Sequence, residues 1–199
     1  MPSTTAKTST TQNSGGANAP RPIERLVLTG FMGSGKSTVG RSLAQRLGWG
    51  FVDLDSLIEQ RDGRAVSRIF EESGEAAFRA VETEALISSL QESQLVIALG
   101  GGALETTANR QALSAASQTC TILLTASFET LYDRCQQQIA ASESSLPIRP
   151  LLGDREAAAA RLAHRDANYR ETANLVLDTT GQQPEESVNA LLALLRGIL

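Results

Sequence analysis

The stretch Gly30-Phe31-Met32-Gly33-Ser34-Gly35-Lys36-Ser37-Thr38 constrains this chain more than any other. It fits the pattern G-x-x-x-x-G-K-[ST] in full, between an apolar run, Leu26-Val27-Leu28, and an amphipathic one, Val39 to Leu47. That is the strand, tight loop and helix context in which the pattern has a mechanism. Glycines let the backbone curl so that consecutive N–H groups face inward, and the helix beginning near Lys36 adds the positive end of its dipole. The result is a cradle for phosphate oxygens. A lysine at this position reaches the β- and γ-phosphates of a nucleotide, and the hydroxyl after it binds Mg²⁺. Gly33, Ser34, Gly35, Lys36, Ser37 and Thr38 are therefore the expected nucleotide-binding set, with Lys36 also catalytic. Beyond Lys7, Lys36 is the only lysine in the chain, so a sequence that otherwise uses arginine has lysine where a compact ammonium is wanted. A dinucleotide-binding G-x-G-x-x-G is excluded here, because Thr38 stands where the third glycine belongs.

The remaining chain supplies the sheet and helices that such a loop needs. Arg25 to Thr29 reads as a first strand, and the helix after the loop runs to about Leu47, where Gly48 ends it. Phe51-Val52-Asp53 is a second strand, followed by a helix capped by Asp55 or Ser56 and running to about Glu59. Val66 to Leu90 has helical periodicity broken at Gly74. Leu95 to Ala98 is a third strand ending in Gly100-Gly101-Gly102, and Thr119 to Leu124 is a fourth, with a helix from about Phe128. A helix from Arg155 to about Thr172, a fifth strand Leu175 to Leu177 and a last helix Glu185 to Leu195 complete the pattern, with a mobile loop expected over 140–153. Strands alternating with helices imply an α/β fold: a five-stranded parallel sheet covered on both faces. Ligands of such sheets bind beyond the carboxyl ends of the strands.

Composition narrows the class. With 199 residues, 41% of them hydrophobic, and a net charge of -4, the chain reads as one soluble domain over 23–199. The acidic balance and 4% aromatic content lack the basic stripe or stacking platform that nucleic acid requires. No apolar run approaches a membrane span, so a cytosolic protein is expected. Cys120 and Cys135 have no ligand-like spacing and read as inert thiols in a strand and a helix. Residues 1–22 are rich in Ser, Thr, Ala, Asn and Gly and read as a disordered tail. A transit peptide is the alternative, though such peptides carry more arginine and an amphipathic pattern.

Each expected strand end carries a suggestive residue set. Asp53 and Asp55 stand two apart, which on a continuing strand turns both carboxylates to the phosphate loop. One can hold Mg²⁺ and the other can accept a proton, unless Asp55 merely caps the next helix. The three glycines at 100–102 can bring backbone N–H groups against an oxygen-rich substrate, or form a bland turn. Arg79 stands three residues before Glu82, a spacing that more commonly gives a surface ion pair. Arg149, before Pro150, can swing onto a transferring phosphoryl group, or be an exposed loop arginine. Arg165, with Tyr169 four residues on, can clamp an anion or be solvated, and His164 reads as a surface residue.

Taken together these stretches resemble shikimate kinase, from Leu26 to the C-terminal helix. The resemblance is carried by the phosphate loop, Phe51-Val52-Asp53-Leu54-Asp55, Ile69-Phe70 with Gly74-Glu75 and Phe78-Arg79, Gly100-Gly101-Gly102, Arg149-Pro150-Leu151-Leu152, and Arg165 with Tyr169. It implies a three-layer P-loop kinase fold with a helical substrate-binding insert at about 56–91 and a mobile lid at about 140–153. It implies ATP-dependent phosphorylation of the 3-hydroxyl of shikimate, a step towards chorismate and the aromatic amino acids, by a monomer. Carried over by position, Asp55 contacts the substrate hydroxyls and is the candidate base. Arg79 and Arg165 hold the carboxylate, and Gly100, Gly101 and Gly102 lie against the ring. Ser37 binds Mg²⁺ directly and Asp53 through water. Arg149 closes onto the ATP phosphates, and Gln182 lies near the adenine.

Three positions depart from the family pattern. Leu99 precedes the glycines where a small hydroxyl residue is usual, the distance from Arg134 to Arg149 is longer than usual, and Gly181-Gln182-Gln183-Pro184 lacks a basic residue. A sugar-acid kinase of the gluconate kinase type and a nucleotide-binding paralogue without this activity are the competing readings.

Overall fold

In a computed structural model, residues 22–141 and 154–199 are described. The strands are β1 (Arg25–Thr29), β2 (Gly50–Asp53), β3 (Leu95–Ala98), β4 (Thr119–Thr125) and β5 (Leu175–Asp178). All pairings are parallel, in the spatial order β2-β3-β1-β4-β5. The helices are α1 (Lys36–Leu47), α2 (Leu54–Asp62), α3 (Val66–Ser89), α4 (Thr107–Ala115), α5 (Phe128–Ala141), α6 (Arg155–Thr172) and α7 (Pro184–Leu195).

Residues of β1 are buried on both faces, and alternation decides which layer each one feeds. Leu26 and Leu28 point to one side, into a cluster with Val39 and Leu43 of α1 and Val188, Leu191 and Leu195 of α7. Val27 points to the other, into a cluster with Leu54 and Ile58 of α2, Ile69, Phe78 and Leu86 of α3, and Tyr169 of α6. Each fully buried Leu or Ile contributes about 1.5–3 kcal/mol relative to exposure. The two clusters therefore clamp the sheet between two helical layers, the expected three-layer arrangement.

The strands form over short apolar runs, as a parallel sheet covered on both faces requires, and Gly48, at φ 70°, ends α1 in the left-handed conformation that glycine adopts without strain. Two expectations about β2 and its helix are corrected. Asp53, not Asp55 or Ser56, caps α2, accepting from the Ser56 N–H. Asp55 lies in the first turn of α2, so the two aspartates are not strand neighbours at i and i+2. The chain turns helical at Leu54 because that side chain, 0% exposed, is drawn into the core while Asp53 satisfies the open N–H of the first turn.

Gly74 interrupts α3 with φ 80° and ψ 169°, separating a leading segment, anchored by the buried Ile69, from the one that carries Arg79 and Glu82. One region carried no sequence expectation. A 3₁₀ turn, Ala103–Glu105, and α4 follow the triple glycine and lead into β4. The tail 1–21 and the segment 142–153, most of the expected lid, lie outside the described residues.

Candidate active site

The carboxyl ends of β1, β2 and β3 lie side by side, with Leu28 and Asp53 both paired with Ala98. The phosphate loop, Asp53 with Asp55, and the glycine triplet stand at or just past those ends, whereas Arg79 comes from α3, Arg165 from α6, and Gln182 follows β5. After β1, the phosphate loop turns into α1 through Gly35, the N-cap, at φ 90°. A side chain there is strained, and no side chain caps the helix, so the first N–H groups of α1 face the cradle. Lys36 Nζ donates to the carbonyls of Gly30 at 2.8 Å and Phe31 at 2.9 Å, which folds the ammonium over the loop.

Ser37 Oγ donates to Asp53 Oδ2 at 2.5 Å, joining the start of α1 to the end of β2. A hydroxyl and a carboxylate oxygen thus meet at one point beside Lys36. Mg²⁺ prefers hard oxygen ligands and takes few of them from protein, the rest being water and phosphate oxygens. The pair fits that ion.

Asp55 is half-buried at the start of α2. A Cβ added to Gly100 would stand 2.7 Å from Asp55 Oδ1 and 3.2 Å from Glu82 Oε1, so glycine is the residue that lets this carboxylate approach the backbone. Gly102 makes the same close approach to the arginines. A Cβ there would stand 2.5 Å from Arg79 Nη2, 3.1 Å from Arg165 Nη2 and 3.0 Å from Glu105 Oε2. Around Gly101 the nearest atoms would be at 3.8 Å or more, leaving room above the middle of the triplet. The bland-turn alternative for 100–102 does not describe this packing.

Nor is Arg79–Glu82 a surface pair. Glu82 is fully buried, and its Oε2 accepts from Arg79 Nη1 at 2.9 Å. Burial pushes the Glu82 carboxyl above its usual range, and the Arg79 charge opposes that. Its other oxygen, Oε1, is buried without a hydrogen-bond partner. Arg165 is likewise buried rather than solvated, and its Nε is also without a partner. One turn on, the Tyr169 hydroxyl donates to the Gly101 carbonyl, and burial pushes that phenol up to about 12, keeping it a donor. Tyr169 therefore ties α6 to the triplet.

Gln182 lies between β5 and α7, at the far side of the loop. Arg134 of α5 donates to the carbonyls of Thr179 at 2.7 Å and Gln182 at 3.0 Å, while the Gln182 side-chain oxygen accepts from Ser187. Arg134 is thus the brace that holds this loop. Arg149, the expected lid residue, lies outside the described residues. Leu99 is buried in the core on the same sheet face as Ile97, so the departure from a hydroxyl residue is absorbed by apolar packing. His164 is exposed and both cysteines are buried, as expected.

Sequence reasoning missed Glu105 and Asn109. Asn109 Nδ2 donates to the Ala103 carbonyl at 2.9 Å and stands 3.5 Å from Glu82, pinning the turn after the glycines. Glu105 bonds to Arg165 Nη2 at 2.7 Å. Both follow the triplet in a segment with no periodic signal, where only the polar residues themselves were visible.

A protein-family model described as shikimate kinase matches residues 32–196. The chain belongs to the shikimate kinase family. A shikimate kinase of Geobacter metallireducens is 40% identical over 183 residues, covering 90% of this chain and 96% of that one. A solved structure of shikimate kinase from Acinetobacter baumannii in complex with shikimate superposes with a TM-score of 0.78 at 32% identity, covering 88% of this chain and 94% of that chain. A gluconokinase from Sinorhizobium meliloti reaches a TM-score of 0.58 at 20% identity over 88% of this chain and 93% of its own, a likeness of fold alone. The shikimate kinase fold of these neighbours is the P-loop kinase fold found here. Among the described residues no helix is long and apolar enough to cross a membrane.

Proposed function

We propose that this chain transfers the γ-phosphoryl group of ATP to the 3-hydroxyl of shikimate, giving shikimate 3-phosphate and ADP. The observation that carries the reading is the convergence of Asp55, Arg79 and Arg165 on the Gly100–Gly102 backbone, beside the Lys36 cradle. Two arginines on a glycine-lined crevice suit a small substrate with one carboxylate, because the planar guanidinium forks match that group and an ammonium does not.

The roles follow from the placement. The N–H groups of Gly33 to Thr38 and the Lys36 ammonium bind the phosphates and neutralise charge as the phosphoryl group moves. Ser37 and Asp53 would hold Mg²⁺, which supplies charge neutralisation across the phosphate oxygens. Asp55 orients the acceptor hydroxyl and takes its proton. Arg79 and Arg165 fix the carboxylate, so that the hydroxyl is held in line with the phosphoryl group; phosphoryl transfer relies on such positioning more than on covalent catalysis. Gln182 would contact the adenine from the loop that Arg134 braces. Arg149 closes over the phosphates from the 140–153 lid and excludes water. The segment 56–91 acts as the substrate-binding insert.

The test is ADP release from Mg-ATP by residues 23–199, with shikimate, with gluconate and with no acceptor. Release that depends on shikimate and not on gluconate is the expected result. Release with gluconate alone, or nucleotide binding without turnover of either, would sink the assignment.

A further inference from the structure

We infer that Glu105 is a built-in counter-anion that holds the substrate-carboxylate subsite and must be displaced from it for the substrate to bind. This rests on the acceptor assignment above and goes beyond it. Glu105 ends the 3₁₀ turn that begins at Ala103, directly after the glycine triplet. Its backbone is fixed: its N–H donates to the Gly102 carbonyl at 3.0 Å, and its own carbonyl accepts from Arg110 Nη1 at 3.0 Å. From that anchor the carboxylate reaches the two arginines that face the crevice. Oε2 stands 2.7 Å from Arg165 Nη2 and 3.7 Å from Arg79 Nη2. One anionic oxygen bridging two guanidinium groups is the arrangement a substrate carboxylate would make.

Charge makes the two occupants exclusive. Arg79 and Arg165 face three carboxylates, those of Glu75, Glu82 and Glu105. A fourth anion entering that group meets net repulsion unless one carboxylate leaves. Glu82 cannot leave, since it is fully buried. Glu75 pairs at the rim with Arg79 alone, and its side chain is 67% exposed. Glu105, 30% exposed and on a three-torsion arm, is the carboxylate that touches both arginines and can swing to solvent. Arg165 gives the second sign of a ligand: its side chain is 8% exposed, and its Nε is buried with no hydrogen-bond partner although Nη2 is engaged by Glu105. Arg165 thus keeps donor capacity that Glu105 does not fill.

Glu105 thereby sets specificity. An acceptor with a carboxylate exchanges one charge-assisted contact for a better one, whereas a neutral analogue leaves Glu105 in place. The test compares wild-type protein with Glu105→Gln and Glu105→Ala, using shikimate and its carboxamide as acceptors. In both variants the KM for shikimate should fall about tenfold, the scale of one charge-assisted contact, while the KM for the carboxamide holds. The change should lie in KM rather than kcat. A second arm reads the thermal shift given by benzoate, a bare carboxylate, which should reach half its maximum at about tenfold lower benzoate in the variants. An unchanged or raised KM for shikimate overturns the inference, as does an equal fall for the carboxamide. A wild-type protein inactive towards shikimate refutes the function assignment instead. The benzoate arm then still decides the role of Glu105, with equal half-maxima counting against it.

Discussion

Adding one methyl group at Gly102 tests whether the glycine triplet exists to let the arginines approach. Gly102 has φ -104° and ψ -2°, a backbone conformation open to alanine, so Gly102→Ala should fold. The new carbon would lie 2.5 Å from Arg79 Nη2, and a contact of about 3.4 Å is the ordinary minimum, so the guanidinium must withdraw by about 0.9 Å. A hydrogen bond to a substrate carboxylate stretched by that amount is lost. Charge-assisted bonds of this kind contribute about 1.5–3 kcal/mol, and each 1.4 kcal/mol is a factor of ten, so the KM for shikimate should rise roughly 10- to 100-fold. The KM for ATP should hold within about twofold, because the phosphate loop is untouched. The measurement is steady-state kinetics on Gly102→Ala, Arg79→Leu and the double variant. If the methyl acts through Arg79, it adds little once Arg79 is gone. Unchanged shikimate kinetics in the single variant, or the same penalty with and without Arg79, would refute the reasoning.

Other perturbations read other parts of the site. Lys36→Ala should lower kcat by about a thousandfold or more with unchanged circular dichroism, the scale of losing a major charge stabiliser in phosphoryl transfer; turnover near wild type would remove Lys36 from the mechanism. Arg79→Leu should weaken shikimate far more than ATP, and it should also destabilise the fold by leaving Glu82 buried and unpaired, at a cost of about 3–5 kcal/mol. Because burial holds the Glu82 carboxyl above its unfolded value of 4.5, the fold loses stability as pH rises through that window, and removing Arg79 widens it. The Tm deficit of Arg79→Leu should therefore be larger at pH 8 than at pH 5; a deficit equal at both, or larger at pH 5, would contradict the pairing. Burial pushes the Cys120 thiol up to about 11, and both cysteines are buried, so neither should react with a thiol reagent at pH 8 until the protein unfolds. Fast labelling of native protein would count against that packing.

The frame was legible because its signals are local. Short continuous apolar runs placed the strands, Gly48 and Gly74 marked where helices end or bend, and the phosphate loop fixed the β1–α1 corner. What stayed hidden depends on contacts between distant segments. Whether Asp53 or Asp55 caps α2 is decided by Leu54 seeking the core, which no local preference among Asp and Ser could tell. Whether Arg79–Glu82 is a rim pair or a buried one depends on α4 and the 3₁₀ turn covering it, and that turn had no periodicity to announce it. Glu105 was invisible for the same reason, since its partner Arg165 lies sixty residues away.

The level ends of β1, β2 and β3 make the sheet a length gauge. Asp53 stands on a shared line set by the pairing of Leu28 and Asp53 with Ala98, and Gly30 and Gly100 each stand two residues past it. A strand advances about 3.3 Å per residue, whereas reacting groups tolerate misplacement of well under 1 Å. Deleting one residue inside β3 would shift the glycine triplet by a whole step against Lys36 and turn its backbone to the opposite face. Within these three strands, then, side chains can be exchanged one for another but not counted differently: changes of chain length must fall in the connections beyond them.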